Sequence, residues 1–314
     1  MITIPERLCQ KALNVSQGSR QWLAGLPEVC RRLSDEWSLD LGSPFAGCHV
    51  SLVVTANRGP RRLVLKVPMP STVELGTLPA GARAAEADAL REWAGDGAVQ
   101  LAEYDPATGA MLVERCEPGA TLDHVDNPDD ADRVAAEVLE RLHRPGLPRP
   151  QFDRLADRAV RLAHALPARY EMAGAPFDQW LLDTAVDLLG QLSRSGPAEV
   201  LLHGDFHLEN ILSAEREPWL AIDPLPMVGD PAYDAVQYLL FRKGDLADPP
   251  TEWATAIAQF SARLDLDAER VKAWMFARLV SDALAAYTQG MTMTELGAWQ
   301  GDLWSARLVH HLRE

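Results

Sequence analysis

The chain is poor in cysteine. It has four, Cys9, Cys30, Cys48 and Cys116, far apart and without a C-x-x-C pair. Such thiols make neither a disulfide framework nor a zinc site, and they fit a reducing cytoplasm, where the protein is expected to reside. No run of about 18 apolar residues occurs, so no membrane-spanning helix is expected. Met1 to Arg20 has neither the apolar stretch nor the small-residue cleavage site of a secretory signal. Positive charge is also short: 30 Lys and Arg face 45 Asp and Glu, for a formal net charge of −15. That excess disfavours nucleic acid as a partner. It serves solubility, and it can attract a polycationic small molecule. There is no internal repeat, no low-complexity linker and no feature that demands an obligatory protein partner. What is present is a 314-residue chain, 47% hydrophobic with nine Trp, enough to bury the core of one large or two modest domains.

Taken in order, Trp22 to Trp37 is expected to be a helix, with Pro27 suited to a first helical position and Val29, Leu33 and Trp37 recurring on one face. Val50 to Ala56 and Leu63 to Val67 form a predicted β-hairpin around the turn Asn57-Arg58-Gly59-Pro60. The segment Phe45 to Ser51 is the expected tip between strands, where small residues let backbone N–H groups, with Ser51 at the end, approach phosphates. A plain tight turn accounts for the same residues. Lys66 stands inside the apolar run Leu63-Val64-Leu65-Lys66-Val67, on the face of Val64. A buried ammonium needs a partner or a phosphate; a lysine pointing to water from an edge strand is the alternative. Its partner is sought on the next predicted helix, Pro79 to Ala94, among Glu86, Asp88 and Glu92.

Two further strands, Val99 to Tyr104 and Ala110 to Cys116, lead to a change of composition at Glu114-Arg115-Cys116-Glu117-Pro118-Gly119. This is the expected hinge, with a first domain over 1–116 and a second over 117–314. Backbone groups from Glu114 to Cys116 are the candidates for an adenine edge. Beyond it the pattern is helical: one helix starts at Asn127-Pro128, and others are expected over 152–166, 177–193, 233–242, 252–264, 268–287 and 294–312.

The helical half is interrupted by Leu201-Leu202-His203-Gly204-Asp205-Phe206-His207-Leu208-Glu209-Asn210-Ile211-Leu212 and then Ala221-Ile222-Asp223. His203, Asp205 and Asn210 have the H-x-D-x-x-x-x-N spacing of a kinase catalytic loop, and Asp223 ends a short apolar run. Phosphoryl transfer follows as the expected chemistry: Asp205 orients or accepts the proton of an attacking hydroxyl, while Asn210 and Asp223 hold Mg²⁺ against nucleotide phosphates. A buried loop in which the same groups only satisfy the backbone is the alternative.

The whole order resembles the aminoglycoside phosphotransferases, and within them the streptomycin 6-phosphotransferase and hydroxyurea phosphotransferase group. The residues that carry the likeness are Trp22-Leu23-Ala24-Gly25-Leu26-Pro27, Val64-Leu65-Lys66, Leu112-Val113-Glu114-Arg115 with Pro118-Gly119, and Leu142-His143. To these add His203-Gly204-Asp205-Phe206-His207 with Asn210-Ile211-Leu212, and Ala221-Ile222-Asp223-Pro224 with Gly229-Asp230-Pro231-Ala232-Tyr233-Asp234. The resemblance implies an α+β, protein-kinase-like two-lobed fold, with a small N-terminal antiparallel sheet lobe and a larger helical C-terminal lobe. It implies Asp205 as catalytic base, Asn210 and Asp223 as magnesium ligands, Lys66 at the phosphates of ATP or GTP, and Glu86 as the lysine's partner. His207, two after Asp205, lies near the transferred phosphoryl group or braces the loop. Asp230 and Asp234 are expected to anchor the following helix. Pro224 stands where protein kinases have Phe-Gly, and A-P-E is missing, which favours a small-molecule kinase. The expected acceptor is a cationic, hydroxyl-rich compound such as a streptomycin-like aminoglycoside, with Asp123, Asp178, Asp183, Asp282 and Asp302 as candidate contacts.

Overall fold

In the computed structural model, which describes residues 3–47, 50–70, 82–144, 151–242, 249–288 and 303–312, the chain divides into two units. The first comprises Met1–Ala120 and Leu212–Asp223, the second Thr121–Ile211 and Pro224–Glu314. The first crossing thus comes after Ala120 rather than at 116, and residues after the His-Gly-Asp loop return to the first unit. Backbone pairing causes the return. Ser213 N–H donates to Ala120 O at 2.8 Å and Gly119 N–H to Ser213 O at 3.0 Å, while Ala221 N–H donates to Gly97 O at 2.8 Å. Bonds of this kind are independent of side-chain identity, so the sequence pattern carries no sign of them.

The first unit is built on five antiparallel strands, β1 (Asp40–Pro44), β2 (Ser51–Arg58), β3 (Arg61–Pro68), β4 (Leu101–Asp105) and β5 (Ala110–Glu114), in the order β1-β2-β3-β5-β4. The register pairs Leu52 with Val67, Val54 with Leu65 and Ala56 with Leu63, so alternation puts these six on one face. There they pack with Leu8 of α1 (Glu6–Val15) and with Leu26, Cys30 and Leu33 of α2 (Gln17–Trp37). Each buried aliphatic side chain contributes on the order of 1.5–3 kcal/mol. Lys66 belongs to the opposite face, toward α3 (Ala82–Trp93).

Neither α1 nor β1 is expected from the sequence, and α2 starts well before Trp22. Ser16 and Ser19 form a capping box at its N-terminus, which leaves Pro27 inside the helix rather than at its first position. An interior proline costs about 3 kcal/mol; the burial of Leu26, Cys30 and Leu33 against the sheet offsets it. The expected helix over 79–94 begins at Ala82 where it is described, and residues 71–81 lie outside the described part, as do 289–302 ahead of the last helix, 303–311.

The second unit is helical: α4 (Pro128–Leu142), α5 (Leu155–Met172), α6 (Gln179–Leu192), α7 (Ala232–Phe241), α8 (Pro249–Arg263) and α9 (Ala268–Thr288). α9 buries Val271, Trp274, Phe276, Val280 and Leu284 at positions all round its axis, the mark of a central helix. Asp132 of α4 is buried and accepts from Tyr238 Oη at 2.8 Å and Arg242 Nε at 2.9 Å, tying α4 to α7. A two-stranded pair, β6 (Val200–Leu202) with β9 (Met227–Gly229), brackets the His-Gly-Asp loop. After the loop come β7 (Ile211–Ser213) and β8 (Trp219–Ala221), which pair with each other. Among the described residues no helix is long and apolar enough to cross a membrane.

Candidate active site

In the first unit the buried ammonium of Lys66 meets two carboxylates. Nζ lies 2.7 Å from Glu86 Oε1 and 3.0 Å from Asp223 Oδ1. Of the three acidic residues weighed on α3, Glu86 is the one that turns inward, while Asp88 pairs with Arg91 on the outside at 2.7 Å. Burial by itself would lower the pKa of Lys66; the charges of Asp223 and Glu86 more than reverse this, and the ammonium stays protonated. Asp223 sits just past β8 with φ of 56°, in the left-handed region that few non-glycine residues adopt. That conformation brings one carboxylate oxygen to Lys66. The side chain is half exposed, and its second oxygen has no partner among the described residues.

The other candidates of this unit are placed as follows. Ser51 is buried at the first position of β2, opposite Pro68. The tip before it is described for Phe45, Ala46, Gly47 and Val50, whereas Cys48 and His49 lie outside the described residues. The Glu114 N–H donates to Gln100 O at 2.8 Å, and its carboxylate takes Arg216 at 2.9 Å, so neither group is open to a base edge. The Arg115 N–H donates to Arg62 O. The Cys116 N–H donates to none of the described residues, which leaves it as the donor of this segment, and burial pushes the Cys116 thiol up to about 12.

In the second unit Asp205 and Asn210 share one loop with a buried brace beneath it. Asp234 of α7, fully buried, accepts the backbone N–H groups of His203 and Gly204 at 2.8 Å each and contacts His143 Nε2 at 2.9 Å. It therefore anchors the loop rather than capping its own helix, a correction to the expectation from the sequence. Asp230, just before the N-cap Pro231, does anchor the start of α7, accepting from Ala232 N–H at 3.0 Å, and it also holds Trp274 Nε1 at 2.7 Å. Gly204 has φ of 77°; a Cβ there would overlap the carbonyl oxygen of Leu225, so only glycine fits.

Above this brace Asn210 Nδ2 donates to Asp205 O at 2.9 Å and Oδ2 at 3.2 Å. His207 Nε2 is 3.1 Å from the same amide and 3.7 Å from Asp205 Oδ2. Its ring also lies against Phe241, tilted, with centroids 5.0 Å apart. Burial raises the Asp205 pKa, but His207 at 3.7 Å, with the charges of His203 and Arg278, carries it below the ordinary carboxylate value. Asp205 is thus ionised at neutral pH, as an acceptor of a hydroxyl proton must be. With Nδ2 turned to Asp205, Asn210 Oδ1 has no partner among the described residues. Asn210 in the second unit and Asp223 in the first each keep one uncommitted oxygen, in each case a hard donor of the type Mg²⁺ accepts.

Two residues of the second unit escape sequence reasoning. Gln237 donates to Asp205 Oδ1 at 3.1 Å, and its only trace in the sequence is a polar residue inside the apolar run of α7. Arg278 of α9 contributes positive potential at Asp205 from a helix with no motif. Of the acidic candidates, Asp123 takes His124, Asp178 takes Arg307 and Asp183 takes Gln179. Asp282 binds Arg278 at 3.0 Å and lines a cavity of about 80 Å³ with Tyr233 and Trp274. Asp302 lies outside the described residues.

Comparison with known proteins extends these observations. The family model described as aminoglycoside/hydroxyurea antibiotic resistance kinase matches residues 52–290. Streptomycin 6-kinase of Streptomyces griseus is 32% identical over 310 residues, 93% of each chain. Hydroxyurea phosphotransferase of Kitasatospora aureofaciens is 32% identical over 291 residues, 90% of this chain and 80% of the relative. Among solved structures, choline kinase LicA of Streptococcus pneumoniae superposes with a TM-score of 0.62 at 14% identity, covering 89% of this chain and 98% of that one. Aminoglycoside phosphotransferase APH(4)-Ia gives 0.62 at 17%, covering 91% and 98%. The fold is accordingly the expected protein-kinase-like one, a small antiparallel sheet unit followed by a mostly helical remainder. By the extent of the family match and by identity to its members over nearly the full chain, this protein belongs to the aminoglycoside/hydroxyurea antibiotic resistance kinases.

Proposed function

We propose that the protein moves the γ-phosphoryl group of ATP or GTP onto a hydroxyl of a streptomycin-like aminoglycoside. The observation that carries this reading is the Lys66–Glu86–Asp223 cluster. Burying the charges of Lys66 and Glu86 beside a half-exposed Asp223 is expensive and is a weak way to stabilise a fold, but it holds an ammonium where phosphate oxygens can be received. The 32% identity to streptomycin 6-kinase over 93% of both chains supports the acceptor.

In this mechanism Lys66 binds the nucleotide's phosphates and Glu86 keeps its ammonium in place. Asn210 and Asp223 are the residues that would hold Mg²⁺, which would supply charge neutralisation on the phosphates. Asp205 orients the acceptor hydroxyl and takes its proton as the new O–P bond forms and the bond to the leaving nucleoside diphosphate breaks. Little covalent chemistry is asked of the protein; positioning and charge carry the rate. His207 steadies Asp205 and Asn210 in the geometry of the loop, and Cys116 N–H serves the base edge.

A second acceptor, hydroxyurea, is favoured by the Kitasatospora relative. Incubation of the purified chain with Mg²⁺, ATP or GTP, and each acceptor in turn, followed by mass spectrometry, separates the two. Streptomycin is expected to gain one phosphoryl group. Product from hydroxyurea alone would select the second reading, and product from neither would end both.

A further inference from the structure

Each oxygen of the Asp205 carboxylate is tied to a different side chain. Oδ2 accepts from Asn210 Nδ2 at 3.2 Å, with His207 Nε2 at 3.7 Å. Oδ1 accepts from Gln237 Nε2 at 3.1 Å. Gln237 lies on α7, three residues after the Asp234 that anchors the loop, and is 2% exposed. An ionised carboxylate only accepts hydrogen bonds, so the amide must present its nitrogen to Asp205. The amide oxygen, Oε1, is then left buried with no partner among the described residues. That is an unusual arrangement for a buried glutamine, because such an oxygen loses its water and gains nothing in exchange. An apolar side chain of the same length would avoid the loss. The neighbouring positions Ala235, Val236, Tyr238 and Leu239 are all buried and would accept one. What an apolar residue cannot do is hold Oδ1.

We infer that Gln237 is a positioning residue for the proposed transfer: it anchors Oδ1 from below and thereby assigns Oδ2 as the oxygen that receives the acceptor's proton. The inference rests on the kinase reading above. Oδ1 is held by a buried donor on a helix. Oδ2 faces the loop, where its partner Asn210 has a second task through its own Oδ1. As the acceptor oxygen bonds to the γ-phosphorus, its proton passes to Oδ2 and the electron pair of the breaking P–O bond leaves with the nucleoside diphosphate. Without Gln237 the carboxylate is held at Oδ2 alone, by Asn210 with His207 beside it, and the geometry required at the moment of attack is populated less often.

The test compares the wild-type chain with Gln237→Met, which keeps the length and removes both polar atoms, and Gln237→Glu, which keeps the shape and sets a second carboxylate against Oδ1. Rates are divided by the fraction of chains that bind nucleotide in a titration, so that misfolded protein does not count. Both variants are expected to lose kcat for streptomycin by roughly 10- to 100-fold, with the nucleotide KM within about twofold of wild type. The Met variant is expected to melt at the wild-type temperature or above it, since the orphaned oxygen is gone. A kcat for Gln237→Met within about twofold of wild type would overturn the inference, as would a loss that vanishes after correction for the nucleotide-binding fraction. If the wild-type chain transfers to neither streptomycin nor hydroxyurea, the kinase reading fails and this inference falls with it; normal wild-type transfer with an equally fast Met variant removes the Gln237 assignment alone.

Discussion

Lys66 and Asp205 are single residues whose surroundings set opposite demands. Lys66 is a cation kept charged in a buried place by Glu86 and Asp223. Lys66→Met would leave Glu86 buried beside a methyl group, and a cost of about 3–5 kcal/mol is expected in urea unfolding. The double variant Lys66→Met/Glu86→Gln should lose less than the sum of its parts, since the two side chains interact directly. Nucleotide affinity measured by titration should fall in both. Asp205 is an anion kept ionised by His207, His203 and Arg278. Asp205→Asn preserves the shape and removes the proton acceptor, so kcat should drop by roughly 10²–10⁴ while nucleotide affinity holds. A variant that keeps most of its rate would dismiss Asp205 as the base. At this scale the sequence was legible where chemistry follows chain order: His203, Asp205 and Asn210 lie within one loop, and Lys66 announces itself as a charge in an apolar strand. The stripe Ala82, Glu86, Leu90 and Trp93 puts Glu86 on the inward face of its helix and the family resemblance names it, although position by position the choice among Glu86, Asp88 and Glu92 stayed open.

At the scale of elements, the His-Gly-Asp loop depends on α7 and α4 as much as on itself. Its backbone donors end on Asp234, and its sharp bend needs Gly204 at φ of 77°. Gly204→Ala would have to move either the loop or the Leu225 carbonyl, and a loss of about 1–3 kcal/mol is expected. It should appear as a lower melting temperature together with a reduced kcat. A different element contact ties α2 to the turn after β4: Asp105 accepts from Arg32, from Thr108 Oγ1 at 2.7 Å and from Ala107 N–H at 3.1 Å. Burial raises its pKa, but the bonds from Thr108 and Arg32 prevail and hold the carboxyl below its ordinary value of 3.8. A depressed carboxyl adds stability above its unfolded pKa and loses it as pH falls through the folded value. Asp105→Asn should therefore cost about 1–2 kcal/mol at neutral pH and flatten the loss of stability below pH about 4, read by chemical unfolding across pH. Most helices and strands were legible from periodicity, whereas α1 and β1 were not. Both are short, and their hydrophobic residues gain burial only from the rest of the first unit.

For the molecule as a whole, the net charge of −15 becomes meaningful once the acceptor is taken to be a polycation. Long-range attraction speeds encounter and is screened beyond a Debye length of about 8–10 Å at ordinary salt. The kcat/KM for streptomycin should fall several-fold between about 50 and about 500 mM monovalent salt, while that for neutral hydroxyurea should stay nearly level. Steady-state kinetics with both acceptors at fixed Mg²⁺ and nucleotide would check this, and equal salt dependence would assign the charge to solubility alone.

The amino-acid sequence by itself determined the class of chemistry and the family, because a catalytic loop is a local motif and its residue types and spacing are the chemistry. It also determined that the chain would hold a sheet-rich first part and a helical second. Only the tertiary structure decided that Asp223 joins Glu86 at Lys66, that Asp234 braces the loop rather than its own helix, and that residues 212–223 return to the first unit. It alone brought Gln237 to Asp205. The physical reason is the same in each case. These choices are made by backbone hydrogen bonds and by contacts between residues distant in sequence, whose energy depends on geometry that no local pattern encodes.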